Sequence, residues 1–350
     1  MRMETNKTRT GWIDVLKLLG ILAIFAGHLG FETGYLHDFV FWYHVPLFFF
    51  ASGIFAGGQS EMKFVDAVKR RFSQIMIPYF FLVILNMLLL AFTTDQDLMT
   101  FIRYGKQFVW GIRNQMPASS LWFFSCIFCT WLLFEILRRL LKKDFLVIPA
   151  AVVIYFLSIT VFPHRPDQEP SWFWNIDSAC YYLIYYAFGY ALRSKLLAPR
   201  REAYGFKGYL RLAGAAVLAG YVLSVYFKDD RIGAFLYRTV PAVELIYPVV
   251  QAMLIIYLNV ILAKILESFR PLCLAGQETL WLCGNEAIVK KALEAAAGIA
   301  GWQIQIVGAL PAIIYASVMA VMILKAFLPA EKALYQKCRQ YLIKLGIKWA

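Results

Sequence analysis

Charge is scarce in this chain. Only 16% of the residues are Asp, Glu, Lys or Arg, while 61% are hydrophobic. A soluble domain of similar length carries nearer a quarter charged residues, so a soluble enzyme or scaffold is excluded, and no polar stretch is long enough to form a separate soluble domain. Histidine is limited to His28, His37, His44 and His164. Of the six cysteines, Cys126 and Cys129 have the spacing of a metal pair. No second pair and no His-x-x-x-His accompanies them, so they read as small thiols at a packing seam and no metal is expected. Nucleic-acid motifs are absent, and Lys and Arg do not alternate with exposed aromatics. The net charge of +13 therefore points to anionic headgroups and membrane topology, not to nucleic acid. No small-residue cleavage site follows the first apolar block, which reads as a retained helix behind a basic N-terminus. There is no internal repeat.

What the chain does have is long apolar blocks. Blocks of about 18–25 residues suit helices crossing a hydrocarbon core roughly 30 Å thick, and these runs are too continuous for barrel strands. The blocks give an all-α, polytopic membrane protein of about ten spans: Trp12–Gly30, Phe39–Gly57, Phe72–Phe92, Ser119–Leu137, Phe145–Phe162, Ile176–Leu192, Leu210–Phe227, Val240–Ile265, Leu274–Ile288 and Ile304–Leu328. Basic residues fall in alternate connections: Arg2, Lys7 and Arg9; Lys63, Lys69, Arg70 and Arg71; Arg138, Arg139, Lys142 and Lys143; Arg193 to Arg211; Lys264 and Arg270; and the tail. Acids occupy the others: Glu32 and Asp38, Asp95 and Asp97, Asp167 and Glu169, Asp229 and Asp230. The rule that positive loops face the cytoplasm places the N-terminus inside. Leu98–Met116 reads as an interfacial segment. Residues 1–329 are the expected transmembrane domain, and 330–350 a basic amphipathic tail on the inner surface.

An ionisable residue at membrane depth is expensive and is a functional candidate. The first block holds Asp14, Lys17 and His28. Asp14 and Lys17 are three apart and share a helix face. Lys17 and His28 are eleven apart, about three turns, which returns to that face with a rise of about 16 Å. Asp14, Lys17, Ile21, Ile24 and His28 thus form one stripe, with a charged foot at the inner boundary and an imidazole near the other end. A cation at the foot suits the phosphates of a cytosolic acyl thioester. A histidine above it suits a general base taking the proton from an attacking hydroxyl, and an acyl-imidazole route is equally open. The short connection between the first two blocks sets His28 facing His44. Ser52 and Gly53 let helices approach closely.

These residues resemble the acyltransferase 3 family of membrane O-acyltransferases. Lys17, ten residues and His28 are similar to that family's basic residue, ten residues and histidine, with Lys where Arg is common. His44-Val-Pro46-Leu-Phe-Phe-Phe-Ala-Ser52-Gly53 resembles its His-x-Pro-Leu-Phe-Phe-Phe-x-Ser-Gly element. Leu121-Trp122-Phe123-Phe124 resembles its Leu-Trp-Phe/Tyr-Leu element, and Asn175-Ile176-Asp177 is similar to its sugar-O-acetylase-like branch. Near Gly276-Gln277-Glu278-Thr279-Leu280 many members carry a histidine a few residues on, where this chain has Asn285.

The resemblance implies acetyl-CoA or another acyl-CoA as donor, a hydroxyl of a cell-surface glycan as acceptor, and a bacterial inner membrane. His28, His44 and Asp14 are the expected catalytic residues. Lys17, Arg70 and Arg71 are expected to hold the donor, and Trp122, Ser52, Glu278 and Asn285 the substrates. The partners are then acyl-CoA, the glycan acceptor and membrane lipids. The rival readings are a transporter, which would show paired half-repeats with broken helices, and a non-catalytic scaffold or acyl-CoA sensor.

Overall fold

A computed structural model describes residues 10–56, 62–93, 97–116, 118–198 and 206–344. Arg2, Lys7, Arg9, Gly57, Asp95, Arg200, Arg201 and residues 345–350 lie outside the described residues. Among the described residues there is no strand. Fifteen α-helices follow one another: α1 Gly11–Gly27, α2 Tyr35–Phe41, α3 His44–Ile54, α4 Phe64–Thr93, α5 Leu98–Trp110, α6 Trp122–Leu141, α7 Asp144–Thr160, α8 Ile176–Leu197, α9 Phe206–Tyr226, α10 Arg231–Thr239, α11 Tyr247–Leu266, α12 Arg270–Gln277, α13 Thr279–Ile299, α14 Ala309–Met322 and α15 Leu328–Lys344. Among the described residues four stretches, Phe64–Ala91, Tyr209–Tyr226, Tyr247–Leu266 and Ala309–Lys344, are long and apolar enough to cross a membrane.

Several apolar blocks are interrupted where the sequence reading ran them through. The second breaks at Trp42–Tyr43, so α3 starts at His44. In the eighth, Val240 is extended and Pro241–Leu245 is a 3-10 turn; the α-helix starts only at Tyr247. Pro241 and Pro248 each lack an N–H and are tolerated in a first turn but not in a helix interior. The ninth pauses at Glu278, between α12 and α13, and then runs on to Ile299. The tenth begins after Gly308 (φ 86°), so Ile304–Val307 is not helical. Its far end continues through a π turn, Ile323–Phe327, into α15.

The chain divides into two compact units. The first comprises residues 1–51, 192–279 and 306–316. Its centre is α1, which packs on α2, α11 and α12. Most of α1 is buried around its circumference, as befits a helix apolar on every face. Close packing is achieved with glycine. A Cβ on Gly20 would overlap the Phe48 ring of α3, and one on Gly27 would overlap Val40 of α2. A Cβ on Gly276 of α12 would overlap the carbonyl of Asp14. At the other end of α2, Asp38 pairs with Lys228 at 2.5 Å, tying it to the end of α9.

The second unit comprises 52–191, 280–305 and 317–350. Here α4 packs on α5 and α6, and α6 on α7. Gly53 abuts the Tyr186 carbonyl of α8, leaving no room for a side chain. The segment read as interfacial is the 13-residue α5, capped by Asp97 through the Thr100 N–H at 3.0 Å. In the last turns of α6, Glu135 is buried and held by Arg138 at 2.9 Å and Arg139 at 2.6 Å. Arg139 also donates to the Met62 carbonyl at 2.8 Å. Glu135→Gln strips the charge that these guanidiniums meet. It is expected to destabilise the protein by about 2–4 kcal/mol, read as a lowered thermal midpoint in detergent; an unchanged midpoint would mean the cluster is solvated.

Candidate active site

The foot of α1 is an ion pair. Lys17 Nζ lies 2.9 Å from Asp14 Oδ1, with the carboxylate 5% and the amine 24% exposed. Burial strengthens such a pair relative to a surface one. Other groups of the first unit gather at the same end of α1. Lys264 lies over the Trp12 ring at 4.8 Å and donates to the Leu196 carbonyl at 2.9 Å. Gly11 faces Cys273 and Glu267. Glu278 sits at the C-cap of α12, two residues past the Gly276 contact, and is half-buried.

At the other end of α1, His28 is the C-cap residue, its N–H returning to the carbonyls of Ile24 and Ala26. Its ring and that of His44 are 6.4 Å apart between centroids and nearly perpendicular, at 86°. Phe41 completes the cluster, 6.3 Å from His28 and 4.9 Å from His44. His44 is buried, and its Nδ1 is 2.6 Å from the Val40 carbonyl. A carbonyl only accepts, so Nδ1 carries the hydrogen. The half-exposed His28 ring and the buried, anchored His44 ring thus meet as the sequence spacing anticipated. The stripe is preserved between the two ends, with Ile21 and Ile24 buried.

The remaining expected residues belong to the second unit. Ser52 is half-buried near the end of α3. Arg70 is exposed and reaches the Met62 sulfur at 3.9 Å. The guanidinium of Arg71 lies 6.0 Å from the Trp131 ring, and its Nε is buried without a hydrogen-bond partner. Trp122 opens α6, buried, with the Arg113 guanidinium over its ring at 4.7 Å. Asn285 is fully buried on α13.

Three groups escaped the sequence reading. Arg113 donates through Nη1 to the Asp167 carbonyl at 2.6 Å, and its backbone N–H reaches Asn175 Oδ1 at 2.8 Å. Asn175 takes a positive φ of 54°, which Asn tolerates better than most residues, and donates to the Gly111 carbonyl at 2.6 Å. Asp177, fully buried, accepts from the backbone N–H groups of Ser171, Trp172 and Ser178 at 2.7, 3.1 and 2.8 Å and meets His164 Nε2 at 2.7 Å. Ser171 Oγ is 3.4 Å from both ring nitrogens of His164. Equal distances place it over the ring face, off the lone pair, so this trio is a loop anchor in form and not a nucleophile with its base. The third group is Glu331 on α15, which contacts Asn285. No periodicity marks any of these; only Asn175 and Asp177 stood in a recognisable motif.

The first helix thus carries a largely buried ion pair near one end and two neighbouring histidines at the other. Residues 10–277 match the family model described as an acyltransferase domain. The chain belongs to that family, the acyltransferase 3 family. No curated protein and no solved structure matches it.

Proposed function

We propose that this chain is a membrane O-acyltransferase carrying an acyl group, acetyl above all, from cytosolic acyl-CoA to a hydroxyl of a cell-surface glycan. The observation that carries this reading is the His28–His44 pair at one end of α1, with the Asp14–Lys17 pair at the other. The rise between them, about 16 Å, suits a donor held by its phosphates at one end and reacting at the end of a long arm. About ten spans, an inward N-terminus and a bacterial inner membrane complete the proposal.

In the proposed step His28 takes the proton of the acceptor hydroxyl as its oxygen attacks the thioester carbonyl. The carbon–sulfur bond then breaks, and the thiolate leaves as the free thiol by taking the proton back from His28. Asp14 holds Lys17 in place, and Lys17 meets the anionic end of the donor. Arg70 and Arg71, in the second unit, are further proposed donor contacts. The unpartnered Nε of Arg71 and its place over Trp131 support this for Arg71. Trp122, Ser52, Glu278 and Asn285 are the proposed substrate contacts. An acyl-His28 intermediate uses the same atoms in two steps.

Purified protein given acetyl-CoA labelled in the acetyl group and a hydroxyl acceptor should release free CoA and label the acceptor in equal amounts. Protein that binds acetyl-CoA but yields neither product would end the enzymatic reading. Lys17→Ala should raise KM for acetyl-CoA about tenfold with a smaller effect on kcat, the loss of one charge-assisted contact. An unchanged KM would remove Lys17 from donor binding.

A further inference from the structure

Asn285 presents a fully buried amide on α13. Its Nδ2 donates to the Trp281 carbonyl at 3.0 Å and to Glu331 Oε2 at 2.7 Å. A carbonyl and a carboxylate only accept, so the amide cannot be reversed: its oxygen would then face two acceptors. Oδ1 is thereby turned away from both, and it is buried with no hydrogen-bond partner among the described residues. Buried amide oxygens are nearly always paired, and leaving one without a donor is unfavourable.

The helix that carries this oxygen is closely packed on either side of it in sequence. Behind α13, Asn86 of α4 reaches the Gly284 carbonyl at 3.4 Å, and a Cβ on Gly284 would overlap Leu82. Beside it, Trp281, Tyr335 of α15 and Phe81 of α4 form a triangle of rings, with centroids 5.3, 5.4 and 6.0 Å apart. All of these residues lie in the second unit.

We infer that Asn285 Oδ1 is a binding acceptor for an N–H or O–H group of a substrate, and that Glu331 is the positioning residue that aims it. The inference rests on the acyltransferase reading, because that reading supplies two such groups: an amide N–H in the arm of acyl-CoA and a hydroxyl of the acceptor.

Isothermal titration of the full chain in detergent separates the two sources, with acetyl-CoA and methyl N-acetylglucosaminide as probes. Asn285→Leu and Glu331→Leu should each weaken the same single probe at least tenfold and leave the other within threefold. Glu331→Gln, which keeps an oxygen for Asn285 Nδ2, should stay within threefold of the unaltered chain for both. The probe that suffers names the source. The inference is overturned if Glu331→Leu binds both probes normally, if Glu331→Gln fails as badly as Glu331→Leu, or if the unaltered chain binds neither. Should Glu331→Leu not fold, Asn285→Ala is read in its place, because it withdraws the acceptor and leaves Glu331. Binding that follows this pattern in protein without transferase activity would sink the enzymatic reading and leave the site standing.

Discussion

Replacing His28 with alanine is expected to lower kcat for acetyl transfer by about 10²–10⁴-fold, the usual contribution of a positioned general base. The expectation follows from where the ring sits. His28 caps α1 and is half-exposed, so it can meet an incoming hydroxyl, whereas the buried His44 has its Nδ1 engaged by Val40. Removing His28 deletes no packed core side chain, so the thermal midpoint should move little. His44→Ala is the contrasting case. It empties a buried position and should lower both stability and rate. A His28→Ala protein with full transferase activity would leave the ion pair and the histidine cluster as structural features of a protein that works by other groups.

The second large effect is structural. Gly276→Val should destabilise the protein by about 3 kcal/mol or more and, where folded protein is recovered, raise KM for acetyl-CoA. Any Cβ at position 276 would overlap the backbone carbonyl of Asp14. Backbone cannot swing aside as a side chain does, so α12 must move off α1 at the residue that pairs with Lys17. Replacing glycine inside a helix with a better helix former gains about 1 kcal/mol, too little to offset the overlap. Gly214 on α9 provides the control: it faces open space, so Gly214→Ala should be neutral or mildly stabilising. Thermal unfolding of the two variants side by side decides the matter, and equal midpoints would mean that α12 yields easily.

The helical class and the first-helix stripe were legible in the sequence because both are local and periodic. The expected block Trp12–Gly30 corresponds to α1, Gly11–Gly27. The meeting of His28 with His44 followed from a short connection. The breaks at Trp42–Tyr43 and Glu278 were not legible, because a window of eighteen apolar residues averages over a pause of one or two. Nor were the contacts made across long stretches of chain. Asn285 finds Glu331 46 residues later, and Arg113 finds Asn175 62 residues later. Such pairs are fixed by which helices stack on which, and nothing beside Arg113 or Glu331 in sequence sets either apart from an ordinary charged residue. The segment 330–350, read from its charge as a basic amphipathic tail, holds the half-buried Glu331 in the first turn of α15.

The hydrogen bond from His44 to Val40 has a directional consequence. With Nδ1–H committed to a carbonyl, the uncharged ring keeps its lone pair on Nε2. In that state His44 can accept a hydrogen bond at Nε2 and has no hydrogen there to donate. The two rings near the end of α1 are therefore unequal: in its uncharged state the anchored one offers only an acceptor at Nε2.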